Sequence, residues 1–140
     1  MAVNFNITFK NLDARRIGMV RSQVNINNNS TIVAASKDGD KLSIGFVFSS
    51  TYEPNIGIIR IEGDLTVDES AENIEKALSE WEKSGRSKLP KEMAESIHNT
   101  ILSNCIVEAS LLARDVKLPS PIPMPQVSLN EKESDTSYIR

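Results

Sequence analysis

The chain holds one histidine, His98, and one cysteine, Cys105, seven residues apart. On a helix that spacing is two turns along one face. It is too long for a hydrogen-bonded nucleophile and base, and two ligands fall short of a zinc site. The pair therefore reads as a hydrogen-bonded histidine and a small apolar cysteine at a helix interface. Residues 62–82 carry eight acids (Glu62, Asp64, Asp68, Glu69, Glu72, Glu75, Glu80, Glu82) against one base, Lys76. Paired carboxylates can move protons, but these fall on a strand end and an outward helix face. A solvated face is the first reading and an acidic docking patch the second. Lys10, Arg15, Arg16 and Arg21 make the N-terminal arm basic, without aromatic interleaving beyond Phe5 and Phe9. Nucleic-acid binding there is a minor reading. Gly39, Gly57 and Gly63 form no phosphate loop. The sequence assigns no catalytic, cofactor-binding or metal-ligating residue, and we expect no enzyme activity.

The 140 residues fit one domain with a real core, and a net charge of −3 argues against a general nucleic-acid binder. No stretch approaches the roughly 20 apolar residues of a membrane span. The opening MAVNFNITF has neither a basic segment nor an apolar one behind it, so no signal peptide is expected. A lone cysteine excludes an internal disulfide and fits a reducing compartment. The expected location is cytoplasmic, without membrane insertion.

Hydrophobic period then gives the elements. Val3, Phe5, Ile7 and Phe9 alternate as a half-buried strand, and 11–21 continues irregularly. Val24 and Ile26 lead to Asn27-Asn28-Asn29-Ser30, read as a turn or bulge within an extended arm. The strand resumes at 31–35, and Asp38-Gly39-Asp40 closes a hairpin. Leu42, Ile44, Phe46 and Phe48 mark the clearest strand. After a turn at 52–55, Gly57, Ile59, Ile61, Gly63, Leu65 and Val67 share one face of the next. Asp68 is the expected N-cap of an amphipathic helix marked by Ile74, Ala77, Leu78 and Trp81, which Gly85 ends. Pro90 lies near the first turn of a long helix.

That long helix has apolar residues on two sides. At about 100° per residue, Ala94, Ile101, Leu102, Cys105, Ile106, Ala109, Leu112 and Ala113 span one arc roughly 140° wide. Met93, Val107 and Leu111 form a second face. A helix apolar on two faces packs on its own sheet and on something else, for which a second copy of the chain is the expected partner. Ile101, Leu102, Cys105, Ile106, Ala109 and Leu112 are the candidate interface. Pro119, Pro121, Pro123 and Pro125 follow at every second residue. That alternation enforces extension but forbids a central strand. Leu118, Ile122 and Met124 share one side of this strap.

The run Asn99-x-Ile101-Leu102, the helix, Leu118-Pro119 and Pro125-x-Val127 resembles the end of the SecB chaperones and their SecB-like relatives. The resemblance implies an α+β fold. Its order is a four-stranded antiparallel sheet, a short helix, a long helix and a proline-rich extended crossover. Residues 1–127 form the domain and 128–140 a flexible polar tail. It further implies an ATP-independent holdase that binds non-native polypeptides, with no cofactor, assembled as a dimer or tetramer. SecB chaperones meet their export motor through acidic sheet residues; Glu62 and Asp64 stand at comparable positions. The tail lacks the family's motor-binding end, so export coupling is not implied. Phe46, Phe48, Ile58, Trp81, Ile122 and Met124 are the candidate client contacts, each with core packing as its ordinary role. Two rivals remain. One is a dedicated assembly or antitoxin-linked partner protein. The other is a small hotdog-type enzyme, disfavoured because the strands here precede the helices.

Overall fold

The computed structural model describes residues 4–19 and 23–122. Four strands, β1 (Asn4–Arg16), β2 (Asn25–Asp38), β3 (Lys41–Glu53) and β4 (Gly57–Asp68), precede α1 (Ala71–Lys83) and α2 (Lys91–Val116). The sheet is antiparallel in the order β1-β4-β3-β2. The fold is thus α+β, with β3 and β4 central and, among the described residues, β1 and β2 at the edges. No described helix is long and apolar enough to cross a membrane.

Alternation on the central strands decides which face is covered. Leu42, Ile44, Phe46 and Phe48 on β3 and Ile59, Ile61, Leu65 and Val67 on β4 are at most 1 % exposed. Each buried apolar side chain of this size contributes about 1.5–3 kcal/mol, so the helices must cover this face. α1 supplies Ile74, Ala77 and Trp81 to the core. α2 supplies Ile97, Ile101, Cys105, Ala109 and Ala113, spaced strictly by four residues. The opposite face stays half-exposed, with Ser43, Ser49, Thr51 and Thr66 among paired charges.

Both edge strands are bulged, and the bulges explain where alternation failed. β1 sets Phe5, Ile7 and Phe9 opposite Val67, Leu65 and Gly63, slips one residue at Lys10, then sets Leu12 and Ala14 opposite Ile61 and Ile59. One extra residue exchanges the faces of all that follow. Residues 11–16 are therefore regular strand in a shifted phase. On β2 the slip lies at Val33, and the asparagines at 27–29 pair without interruption against Thr51, Ser50 and Ser49. The turn or bulge expected there does not occur, because β3 offers a full ladder of backbone partners opposite it.

Gly39, at φ +63°, and Asp40 link β2 to β3 in a two-residue turn, as expected. The expected cap of α1 is corrected. Asp68 ends β4, and Ser70 is the N-cap, its hydroxyl accepting from the Asn73 N–H at 3.2 Å. Gly85 follows the end of α1 with φ +72°, and Pro90 is the N-cap residue of α2.

Gly63 is fixed by close approach. A Cβ there would run into the carbonyl oxygen of Thr8 and the ring of Phe46. Gly63→Ala is expected to lower unfolding free energy by about 3 kcal/mol, read as the urea midpoint. Gly39→Ser, at an open turn position, should cost clearly less.

Candidate functional site

The α2 row that reaches the core is flanked by a second four-spaced row, Ala94, His98, Leu102, Ile106 and Ser110, all half-buried. A hydrogen bond of 2.6 Å between His98 Nδ1 and Ser30 Oγ turns this flank toward β2. On β2, Ile26, Ser30 and Ile32 oppose Tyr52, Phe48 and Phe46, so they share the helix-covered face. They are only half-buried. The covering between this flank and β2 is thus incomplete and leaves a shallow groove, with Ser30 and Ile32 half-buried on its strand side and Leu102 and Ile106 half-buried on its helix side.

The linker closes one end. Ser84 Oγ accepts from the Lys88 N–H at 2.9 Å, and Leu89 is buried, which ties 84–89 down beside β2. Here a cavity of about 350 Å³ is lined by Ser30, Thr31, Ile32, Ser87, Lys88, Leu89, Ala94 and His98. The segment after α2 closes the other end. Lys117 turns the chain at φ 61°. Leu118 is buried against Gly57, where a Cβ would meet its methyl groups at about 2.9 Å. The Tyr52 hydroxyl donates to the Pro119 carbonyl at 2.7 Å, and the Asn28 amide donates to the Pro121 carbonyl at 3.0 Å. Residues 118–121 thus pass over β4, β3 and β2 in turn. Burial pushes the Tyr52 phenol above its ordinary pKa, so it remains a donor across neutral pH.

A second concavity, about 500 Å³, lies between the starts of the two helices over Phe5, Val67 and Met93. Its Glu69 carboxylate already accepts from the Ser70 N–H and the Asn73 amide.

The residues singled out from sequence fall into different places. Phe46, Phe48 and Trp81 are at most 2 % exposed and belong to the core. Ile58 lies half-buried on the face away from the helices, Ile122 is 40 % exposed, and Met124 lies outside the described residues. Among the interface candidates, Ile101, Cys105 and Ala109 are fully buried against the chain's own sheet. Leu102, Ile106 and Leu112 stay half-buried on the flanks of α2. The second apolar face of α2 is open at Val107 and Leu111, 62 % and 44 % exposed.

Sequence reading missed Ser30, Ile32 and Lys88 as groove residues. The contact that reveals them, Ser30 to His98, joins positions 68 residues apart. The acids on the helix-free face are not an unbalanced patch. Glu62 pairs with Arg60 at 3.0 Å, Asp64 with Lys10 at 3.3 Å and Asp13 with Arg15 at 3.4 Å. Among the described residues no three His, Cys, Asp or Glu side chains come together as a metal-binding group. No family model matches the chain, and no curated protein or solved structure matches it either.

Burial, with the Glu108 carboxylate adding to it, pushes the Cys105 thiol up to about 12. The reactive thiolate is therefore scarce at neutral pH. The folded chain should react with a disulfide reagent at pH 8 at least a hundredfold more slowly than the urea-unfolded chain; equal rates would contradict this burial. Because the folded pKa is raised, Cys105 favours the fold most below the ordinary thiol pKa. That contribution declines as pH rises from there toward 12.

Proposed function

We propose that this chain is a SecB-like holdase that binds non-native polypeptides, without nucleotide, along the groove between α2 and β2. The observation that carries the reading is that groove itself. Leu102 and Ile106 are half-buried on its helix side and Ser30 and Ile32 on its strand side, and among the described residues β2 is an edge strand of the sheet. An extended chain can lay alternate apolar side chains there and hydrogen-bond along β2. Between the groove's two closures the strand side, from Asn28 to Ile32, is about 13 Å long at about 3.3 Å per residue, enough for about four extended residues.

The order of four strands, a short helix, a long helix and a proline-bearing segment supports placing the chain beside the SecB-like proteins. Self-association belongs to the same proposal, through the open face of α2 at Val107 and Leu111 rather than through its buried row. The client class follows from the groove, where apolar side chains adjoin backbone donors and acceptors and read no particular sequence. The proposal needs no cofactor and no reaction, and it places the work in the cytoplasm.

The deciding experiment is light scattering from an aggregating, chemically unfolded client with increasing amounts of the protein and no nucleotide. Suppression should saturate at a fixed ratio of protein to client. Leu102→Gln with Ile106→Gln should lower that capacity at least threefold while circular dichroism stays unchanged. A folded protein that never suppresses scattering would overturn the holdase reading.

A further inference from the structure

The linker end of the groove differs chemically from the rest. Its eight lining residues include three hydroxyls, one imidazole and one ammonium, and no carboxylate. In a chain of net charge −3 this hollow is lined by one cation and no anion. No ion pair among the described residues uses Lys88. His98 engages Ser30 through Nδ1. This bond is compatible with either neutral tautomer; in the one where Ser30 donates, the ring proton sits on Nε2, which has no hydrogen-bond partner among the described residues. In that tautomer the cavity offers an imidazole N–H, an ammonium without an ion-pair partner among the described residues, and an apolar wall of Ile32, Leu89 and Ala94. Those are the requirements of a carboxylate attached to an apolar side chain. The cavity lies at the linker end of the groove, where Ser87, Lys88 and Leu89 wall it and the Ser84–Lys88 hydrogen bonds hold the turn.

We propose that the cavity captures the C-terminal carboxylate of an extended polypeptide lying in the groove. The Lys88 ammonium and His98 Nε2–H meet the carboxylate, and the terminal side chain rests on Ile32, Leu89 and Ala94. The proposal rests on the groove reading above and adds to it a preference for chain ends over internal segments. A chain so held runs with its last residue at the linker and its earlier residues toward the 118–122 segment.

The test uses one acetylated eight-residue peptide, alternating serine or threonine with valine, isoleucine or leucine and ending in leucine. It is made as the free acid and as the C-terminal amide, and binding to the full chain is read by fluorescence anisotropy. The acid is expected to bind about fivefold more tightly than the amide. Lys88→Gln should reduce that ratio to below twofold and leave the affinity for the amide unchanged. Lys91→Gln, which changes a nearby cation outside the cavity, should leave the ratio intact. Equal binding of acid and amide would overturn end capture and leave the groove reading standing. Equal loss of the preference in both variants would also overturn it, since the effect would then be unspecific charge. If neither peptide binds, the groove reading falls and end capture falls with it.

Discussion

Everything in this molecule follows from having to hide one face of the β3–β4 pair from water. Eight large apolar side chains alternate onto that face, and no neighbouring strand can cover it. The covering must come from helices. α2 meets it through Ile97 and Ile101 near its start and through Cys105, Ala109 and Ala113 further on. The buried row thus passes from large to small residues toward the end of the helix. There Leu118 drops onto Gly57, and the chain can cross the strands just beyond the end of α2.

The groove is a consequence of dimensions. A helix is about 10 Å across with its side chains, whereas four strands at about 4.8 Å spacing present a wider surface. One long helix cannot shade all of it. α2 leans toward β1 and β4, α1 covers part of β2 and β3, and a strip along β2 is left half-covered. The side chains on that strip, Ser30 and Ile32, are uncharged and half-buried, left so by their place on the edge strand. Tying down both ends of the strip, by the Ser84–Lys88 turn and by the Asn28 and Tyr52 hydrogen bonds, gives it a defined length.

The central strands and both helices were legible because each has a clean period. Leu42 to Phe48 alternates without a break, and Ile74 to Trp81 repeats at helical spacing. The edge strands were legible only in part. A bulge such as that at Lys10 reverses the pattern midway without any residue type announcing it, so 11–16 looked irregular. The asparagines of β2 have turn chemistry that the β3 ladder overrode. The candidate site was harder still. Size and apolarity single out Phe46, Phe48 and Trp81, but the same properties drive these side chains into the core. The groove residues Leu102, Ile106 and Ile32 are of the same types as core residues, and what sets them apart is their place at the edge of the covered face, which depends on pairing across the whole domain. His98 was correctly read as a hydrogen-bonded helix residue, yet nothing local identified Ser30 as its partner.

The strand order has a consequence for how the protein is made. Among the described residues β1 pairs only with β4, and its partners lie roughly forty to sixty residues further along the chain. At ribosomal speeds of about 5–20 residues per second, β1 spends on the order of several seconds outside the exit tunnel before its partner exists. Over that interval Phe5, Ile7 and Phe9 are exposed on a segment with unpaired backbone on both sides. The stretch 4–9 has no charge of its own, and only Lys10, at the bulge, stands guard over it. A nascent chain of this kind passes through a state in which it could itself be a client of a holdase.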